Sequence, residues 1–247
     1  MKKFLLASAL LALTAAPVMA DEAQDTAPEP VEYEAQDTGS KGVFYGGLQA
    51  MYAMQWIKKG DDAQEFARSM FKDPQGFGGG LFLGYGHAFH RFYLGGELAY
   101  AYGAVNSKKD LGTVNDLLLL NGSLRVNGSV NTKVELKHFV DFAIHPGVVL
   151  PRGFTPYAIL GLRYVRGKVS LGGNFTANGQ SGAGSAATQG IGPRLGLGLK
   201  WKPSASPFFA GVECAWSSIK MELKDFAYMG SIKTNSMDVK VKVGYQF

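Results

Sequence analysis

Apolar and polar residues alternate with a period of two along most of the chain from Gly42 onward. The first such stretch places Phe44, Leu48 and Trp56 on one face, with glycine, glutamine and small residues at the positions between. Successive side chains of a β-strand point to opposite faces, so this alternation predicts a strand with one apolar face. The same parity recurs at residues 77–89, 92–102, 134–144, 160–164, 191–201, 208–217 and 239–247. The pattern therefore predicts eight strands and an all-β fold.

Two all-β architectures use strands with one apolar face. A soluble sandwich buries that face, whereas an outer-membrane barrel turns it towards lipid and encloses the polar face. Here the polar faces are rich in glycine and carry sparse charges of both signs, which suits a cramped interior. Aromatic residues lie near the ends of the apolar faces, as in the girdles at the two membrane interfaces. The alternation therefore favours a barrel with Val241 and Val243 facing lipid and Lys240 and Lys242 enclosed.

The connections between the predicted strands alternate in length. About twenty residues follow the first strand, whereas only His90 and Arg91 separate the second from the third, and this order of long and short continues. External loops and tight periplasmic turns alternate in this way in up-and-down barrels. The middle of the first loop is expected to form one or two helical turns. We thus predict an eight-stranded antiparallel up-and-down transmembrane β-barrel over residues 42–247, with no helix that spans a membrane.

The first residues carry an export signal. "MKKFLLASALLALTAAPVMA" has a positive start, a short apolar run and small residues before Asp21, which predicts a signal peptide cleaved after Ala20. Residues 21–41 are acidic and contain almost no large apolar side chain, so we predict a flexible periplasmic leader. The expected location is the bacterial outer membrane.

Two stretches resemble a known family. "FGGGLFLGYGHAFHRFYLGGELAYAYG" (77–103) is similar to the glycine-rich hairpin of the small outer-membrane β-barrels related to the OmpA transmembrane domain. The ending "VKVGYQF" resembles the C-terminal signal of that family, which implies that Val243, Tyr245 and Phe247 are recognised by the outer-membrane assembly machinery. The resemblance covers residues 42–247 and implies fold and location, but the family's functions are diverse. Unlike OmpA itself, the chain is expected to lack a C-terminal peptidoglycan-binding domain.

The enclosed face of the predicted barrel collects charged residues. An eight-stranded barrel has an interior just wide enough for side chains to fill, so these charges are expected to pair into a polar plug. The alternative is that the same groups line a narrow ion path. The predicted lumen set is Glu97, Glu135, Lys137, Asp141, Arg163, Arg194, Lys200, Glu213, Asp238, Lys240 and Lys242.

The second long connection, at 106–133, contains an unusual apolar run. Leu117, Leu118, Leu119 and Leu120 precede Asn121-Gly122, a hairpin-turn signal, and Arg125 follows. An exposed apolar run of this kind indicates contact with a partner, lipid or host. Alternatively, it packs on other loops or extends the barrel above the membrane. Basic loop residues are expected to contact lipopolysaccharide phosphates.

Signatures of catalysis and nucleotide binding are absent from the sequence. Ser217 and Ser218, the candidates for a nucleophile in a lipid-modifying barrel enzyme, lie far in sequence from any histidine. The four histidines form no metal-ligand pattern, and we expect no metal, no cofactor and no nucleic-acid partner. The sequence therefore favours a non-enzymatic outer-membrane barrel that serves envelope integrity or surface contact through its loops. A narrow ion or small-solute channel is the alternative.

Overall fold

The structure, a computed structural model, describes residues 42–60, 62–119, 124–172, 175–177, 180–181, 184–223 and 231–247. The predicted signal peptide and acidic leader lie outside the described residues and remain predictions.

The described residues form ten strands, one α-helix and one turn of 3-10 helix. The helix, α1 (Asp62–Met70), follows the first strand and bears out the helical turns expected there. No helix among the described residues is long and apolar enough to cross a membrane. The strands are β1 (Gly42–Ile57), β2 (Gln75–Phe89), β3 (Phe92–Leu119), β4 (Leu124–Val148), β5 (Phe154–Gly172), β6 (Phe175–Ala177), β7 (Gln180–Ser181), β8 (Gly184–Trp201), β9 (Phe208–Leu223) and β10 (Ser231–Gln246).

Eight of these strands close into an antiparallel ring. β1 pairs with β2 on one side and with β10 on the other, and the order continues through β3, β4, β5, β8 and β9 back to β10. Closure leaves every long strand with two neighbours, which removes the free edges of an open sheet. The predicted eight-stranded antiparallel barrel is confirmed.

The barrel carries its apolar side chains on the outside. Val241 and Val243 of β10 are 52% and 57% exposed, whereas the alternating Lys240 and Lys242 are each 2% exposed. Aromatic side chains cluster on the outer surface near the ends of this belt, as in the pairs Phe208–Tyr245 and Tyr52–Phe77, whose ring centroids lie 5.2 and 4.8 Å apart. An outward apolar band flanked by aromatic residues is the architecture of a transmembrane β-barrel.

The two ends of the barrel differ. Three short connections, at 90–91, 149–153 and 202–207, lie at the end where β1 begins and β10 finishes, which we call the turn end. Helix α1 and the last residues of β3, β5 and β9 lie at the opposite end, the loop end. The amide N–H of Phe247 donates a 2.9 Å hydrogen bond to the carbonyl oxygen of Phe44, which closes the ring at the turn end.

Inward glycines make room for inward aromatic rings. A Cβ added to Gly198 would overlap the ring of Tyr157, and one added to Gly244 would overlap the ring of Phe209. Both rings are buried, at 8% and 5% exposure. The inward glycines therefore leave space that bulky aromatic rings from neighbouring strands fill. The sequence analysis placed the glycines in the interior but did not identify these rings as their partners.

A β-bulge in β4 corrects the predicted parity of this strand. The pairing of β4 with β5 shifts register between Leu136 and His138, so Lys137 is an extra residue. A bulge of this kind reverses the faces on which later side chains lie. Leu136 is therefore buried inside the barrel, although the alternation predicted that it faces lipid, and Glu135 and Lys137 are outside the buried set.

The second long connection is mostly strand. β3 and β4 remain paired as far as Leu119 and Leu124, so the prediction of a loop over 106–133 was wrong for most of that range. The other interpretation, an extension of the barrel, agrees with this backbone. Beyond the ring, β6 adds to β4 through Thr176 and its neighbours and then pairs with β7. The turn signal at Asn121-Gly122 lies outside the described residues.

Candidate functional site

Two arginines and two aspartates form the centre of the interior. Arg163 on β5 donates from Nε and Nη2 to the two carboxylate oxygens of Asp141 on β4, over 2.6 and 2.8 Å. Arg194 on β8 donates from Nη1 and Nη2 to the two carboxylate oxygens of Asp238 on β10, also over 2.6 and 2.8 Å. The Nη1 atom of Arg163 joins the two pairs by donating to Asp238 over 2.5 Å. Forked guanidinium–carboxylate pairs combine charge with fixed geometry, so this cluster holds four strands in register.

Two lysines of β10 continue the network. Lys240 Nζ donates to Asp141 over 2.7 Å. Lys242 Nζ lies between Glu97 of β3 and Glu213 of β9, donates to both, and is 2.5 Å from the Glu213 oxygen. The hydroxyl of Tyr157 donates to the same Glu213 oxygen over 2.9 Å. Each carboxylate of the network therefore accepts a bond from at least one cation.

The fifth cation of the interior is held differently. Lys200 Nζ lies 4.3 Å from the centroid of the Tyr93 ring and within 5.6 Å of the rings of Tyr45 and Phe209. An ammonium over aromatic faces is stabilised by the quadrupole of the rings, most strongly where water is excluded. These aromatic residues close the interior on the side of the turn end.

Burial makes the pairing of these groups costly to disturb. Arg163, Arg194 and Asp238 are at most 1% exposed, and Asp141 is 5% exposed. Charges taken out of water are tolerated only when they are paired, and removal of one partner leaves an uncompensated buried charge. The arrangement therefore has the properties of a polar plug that fixes strand positions.

An apolar layer lies above this network, towards the loop end. The side chains pack on one another inside the ring and come from five of its strands. They are Met51, Ala53, Ala101, Val105, Leu136, Phe139, Val165, Ile219 and Met221. Hydrated ions do not cross a layer of packed apolar side chains without displacing it, so paired charges and apolar packing occlude the interior in series.

The segment after α1 covers the loop end of the interior. Thr132 Oγ1 donates to the carbonyl oxygen of Met70 over 2.7 Å, and Ser107 Oγ donates to that of Lys72 over 2.6 Å. The N–H of Gln55 donates to the carbonyl oxygen of Pro74 over 2.9 Å. The first loop is thereby fixed to β1, β3 and β4.

The sequence grouped eleven charged residues, and the structure places nine of them in the buried interior. Glu135 is half-buried and pairs with Lys133, with Nζ and Oε1 2.8 Å apart, while Lys137 is exposed at the bulge. Both therefore lie outside the plug. The alternation of apolar and polar residues did not reveal the bulge, because the alternation looks unbroken on both sides of Lys137.

One group of potential metal ligands was missed by the sequence analysis. Ligand atoms of Glu97, His145 and Glu213 all lie within 4.8 Å of one another among the described residues. They come from three separate strands, so no local spacing in the sequence announced them. The ammonium of Lys242 contacts both carboxylates and supplies the positive charge that they require.

The remaining predicted residues lie on the outer surface or at the loop end. Val243, Tyr245 and Phe247 are exposed on the outside at the turn end, with Phe247 at 77%. The backbones of Leu117, Leu118 and Leu119 pair with Val126, Arg125 and Leu124 in the extension of β3 and β4. Leu120 lies outside the described residues.

The chain is similar to solved structures of bacterial outer-membrane proteins. Ail of Yersinia pestis, solved with the heparin analogue sucrose octasulfate, is 15% identical over 83% of this chain and 99% of its own, with a TM-score of 0.38. Neisserial surface protein A is 11% identical over 83% and 97%, with a TM-score of 0.41. OprG of Pseudomonas aeruginosa is 13% identical over 83% and 95%, with a TM-score of 0.38.

No protein-family model matches the chain, and no curated protein matches it either. The barrel is established by the strand pairing of this chain itself.

Proposed function

We propose that this protein is a non-enzymatic outer-membrane barrel that supports the cell envelope and makes surface contacts through its loop end. The observation that carries the proposal is the pairing of an outward apolar belt with an occluded interior. The belt fits a bilayer, while the network of Asp141, Arg163, Arg194 and Asp238 fills the middle of the interior and links the strands of the ring. The part of the molecule left for contact is then the extension above the belt.

The proposal includes export and membrane assembly. The signal peptide ending at Ala20 directs the chain out of the cytoplasm, and the acidic leader at 21–41 is a periplasmic segment. Val243 and Tyr245 of β10, with Phe247 directly after it, present alternate apolar side chains, which suits recognition of this strand by the assembly machinery. Cell fractionation should recover the protein in the outer membrane. Recovery in the soluble periplasm, without detergent, would refute this part.

Surface contact is assigned to the extended hairpin of β3 and β4. The backbones of Leu117, Leu118, Leu119 and Arg125 belong to this paired extension, and Leu120 follows in the sequence. Apolar residues clustered at an outer tip with a basic residue suit a partner that offers both an apolar surface and negative charge, such as a host surface or lipopolysaccharide. The β6 strand pairs with β4 at Val126, Asn127 and Gly128, and so adds a further strand to this extension.

The decisive experiment removes the tip and keeps the ring. Deletion of residues 117–126 should abolish adherence to host cells or to lipopolysaccharide-coated surfaces, while the purified barrel remains folded. The matched control replaces residues 224–230, the connection from β9 to β10, with a short Gly-Ser linker and should adhere as the parent does. Undiminished adherence of the deletion variant would overturn the assignment.

The channel alternative has its own test. Planar-bilayer recording of the purified protein should give no discrete openings, because an ionic layer and an apolar layer close the interior. Openings that change in Arg194→Ala would establish the ion path instead. Lys137→Ala is a control in that recording, since Lys137 is exposed outside the interior.

A further inference from the structure

Five basic side chains form a patch on the outer wall of the barrel near the loop end, which we call the basic patch. They come from three adjacent strands, β3, β4 and β5. The residues that alternate with them, such as Ser107, Leu136 and Val169, are buried in the interior, so the cations lie on the outer face. The patch consists of Lys108, Lys133, Lys137, Arg166 and Lys168, of which Lys133 is half-buried and the others are exposed.

The strand register brings these charges together. Lys108 stands directly opposite Lys133, and Lys168 stands directly opposite Glu135. Lys137, the bulge residue of β4, follows on the same outer face. Like charges that face each other directly across an antiparallel pair destabilise the pairing. The patch therefore calls for negative charge from a partner outside the sheet.

The acidic side chains near the patch do not supply enough of that charge. Glu135 is already paired with Lys133, with Nζ and Oε1 2.8 Å apart. Asp110, two residues beyond Lys108, accepts the amide N–H of Gly112 over 2.9 Å. The other four cations of the patch have no ion pair among the described residues.

The patch borders the aromatic residues at the upper end of the apolar belt. Arg166 stands opposite His138, which in turn stands opposite Tyr102. The ring centroids of Tyr102 and His138 lie 5.4 Å apart, and the Tyr100 hydroxyl lies 2.9 Å from His138 Nδ1. Amphipathic rings on the outside of a membrane protein sit at the level of the lipid headgroups. The cations that continue from this row towards the loop end therefore face headgroups, while the belt below them faces acyl chains.

We propose that the basic patch binds lipopolysaccharide of the surrounding membrane through the two phosphates of its lipid A headgroup. Adjacent strands are about 5 Å apart and residues along a strand about 3.3 Å apart, so the patch covers roughly 10 by 13 Å, from Arg166 to the level of Lys133. A single phosphate does not reach cations over that distance, whereas a phosphorylated disaccharide carries negative charge at both ends. The acyl chains of the same molecule lie along the belt.

This proposal rests on the outer-membrane location proposed above, and it concerns a different surface from the hairpin. The basic patch faces lipid of the protein's own membrane, whereas the hairpin tip contacts a surface outside that membrane.

Binding can be measured with the purified full-length protein in uncharged dodecyl maltoside micelles. The probes are lipid A with two phosphates, monophosphoryl lipid A with the same acyl chains, and phosphatidylglycerol. A ligand that binds only the folded state raises the unfolding temperature with its concentration, which gives a dissociation constant for each probe. We expect lipid A to bind at least about fivefold more tightly than monophosphoryl lipid A, and phosphatidylglycerol to bind more weakly still.

A pair of double variants tests the position of the site. Lys137→Gln with Lys168→Gln removes two exposed cations and leaves the ion pair of Glu135 intact. A contribution of about fivefold from each cation predicts a loss of lipid A affinity of roughly 25-fold. The charge-matched control is Arg91→Gln with Arg152→Gln, which removes two exposed cations at the turn end and should bind as the parent does.

A change of the opposite sign separates binding from a merely structural role. Glu135→Gln removes the carboxylate inside the patch and frees Lys133, so lipid A should bind about fivefold more tightly. Weaker binding by this variant would contradict a phosphate site.

The remaining outcomes separate this proposal from the surface contact of the hairpin. Deletion of residues 117–126 should leave lipid A binding unchanged, because the patch ends at Lys108 and Lys133. Loss of lipid A binding in that deletion would overturn the proposal. So would an equal loss in the two double variants, or equal affinities for lipid A and phosphatidylglycerol. None of these results would alter the outer-membrane location or the adherence assigned to the hairpin, which cell fractionation and the adherence assay measure separately.

Discussion

Arg163 and Asp238 lie on strands that are not neighbours in the ring, yet Arg163 Nη1 and Asp238 Oδ1 are 2.5 Å apart. β5 and β10 are separated by β8 and β9, so this bond crosses the interior. It joins the two forked ion pairs into one unit, so its loss should weaken both pairs.

Asp238→Asn should strongly destabilise the barrel. The change leaves Arg194 without its fork and Arg163 without its cross-lumen partner, and breaking a buried ion pair costs about 3–5 kcal/mol. Urea unfolding in detergent or bilayers measures the loss. Glu222→Gln removes the same charge from an exposed site on β9 and should change the free energy of unfolding by less than ~0.5 kcal/mol. Equal effects of the two changes would contradict the network.

Lys242→Met should make the stability of the barrel depend on the concentration of Zn²⁺. It removes the ammonium between Glu97 and Glu213 and leaves two carboxylates and His145 with ligand atoms within 4.8 Å. Two carboxylates and an imidazole suit Zn²⁺, and a metal that binds only the folded state raises stability with its concentration. Thermal unfolding of this variant should therefore shift upward with Zn²⁺, whereas the parent should not respond. The shift should vanish in Lys242→Met with His145→Ala, and a shift that persists there would show that the metal binds elsewhere.

Gly198→Ala should destabilise the protein through Tyr157. The added methyl group overlaps the tyrosine ring and forces it out of its position, and overpacking of this kind costs about 1–3 kcal/mol. Gly96→Ala is the control, because a Cβ at Gly96 meets no atom within 4 Å. Its unfolding free energy should equal or exceed that of the parent. If both variants unfold alike, the pairing of glycines with rings does not govern the packing.

Leu197→Lys should impair insertion and stability. Leu197 is 71% exposed in the middle of the β8 face, and lysine near the middle of a bilayer costs about 2–4 kcal/mol. Refolding yield into lipid vesicles and urea unfolding both report the change. Glu222→Lys places the same side chain near the loop end and should have a much smaller effect. An unaffected Leu197→Lys would mean that this face does not meet lipid.

Much of the barrel can be predicted from the sequence because side chains along each strand of a closed sheet alternate between the inner and the outer face. The alternation of Lys240 and Lys242 with valines places the lysines inside once the glycine-rich polar faces and the aromatic ends of the apolar faces have indicated a barrel. The strand count and the antiparallel order also follow from repeated alternation and from the lengths of the connections.

The features that the sequence did not predict depend on contacts between distant strands. Lys137 forms a bulge because of how β4 pairs with β5, and the apolar residues on either side of it hide the change of face. Tyr157 and Phe209 fit inside only because glycines stand opposite them on neighbouring strands. Glu97, His145 and Glu213 meet across the ring. None of these relationships has a fixed spacing along the chain.

The strand that completes the ring also brings three of its enclosed charges. Asp238, Lys240 and Lys242 all belong to β10, which joins β9 to β1. The pairing that closes the ring and the neutralisation of the enclosed charges therefore occur together. Before β10 pairs with its neighbours, the partly formed barrel contains two guanidinium groups and three carboxylates that lack these counter-ions. These groups stay hydrated, and the open barrel stays unfavourable, until β10 pairs.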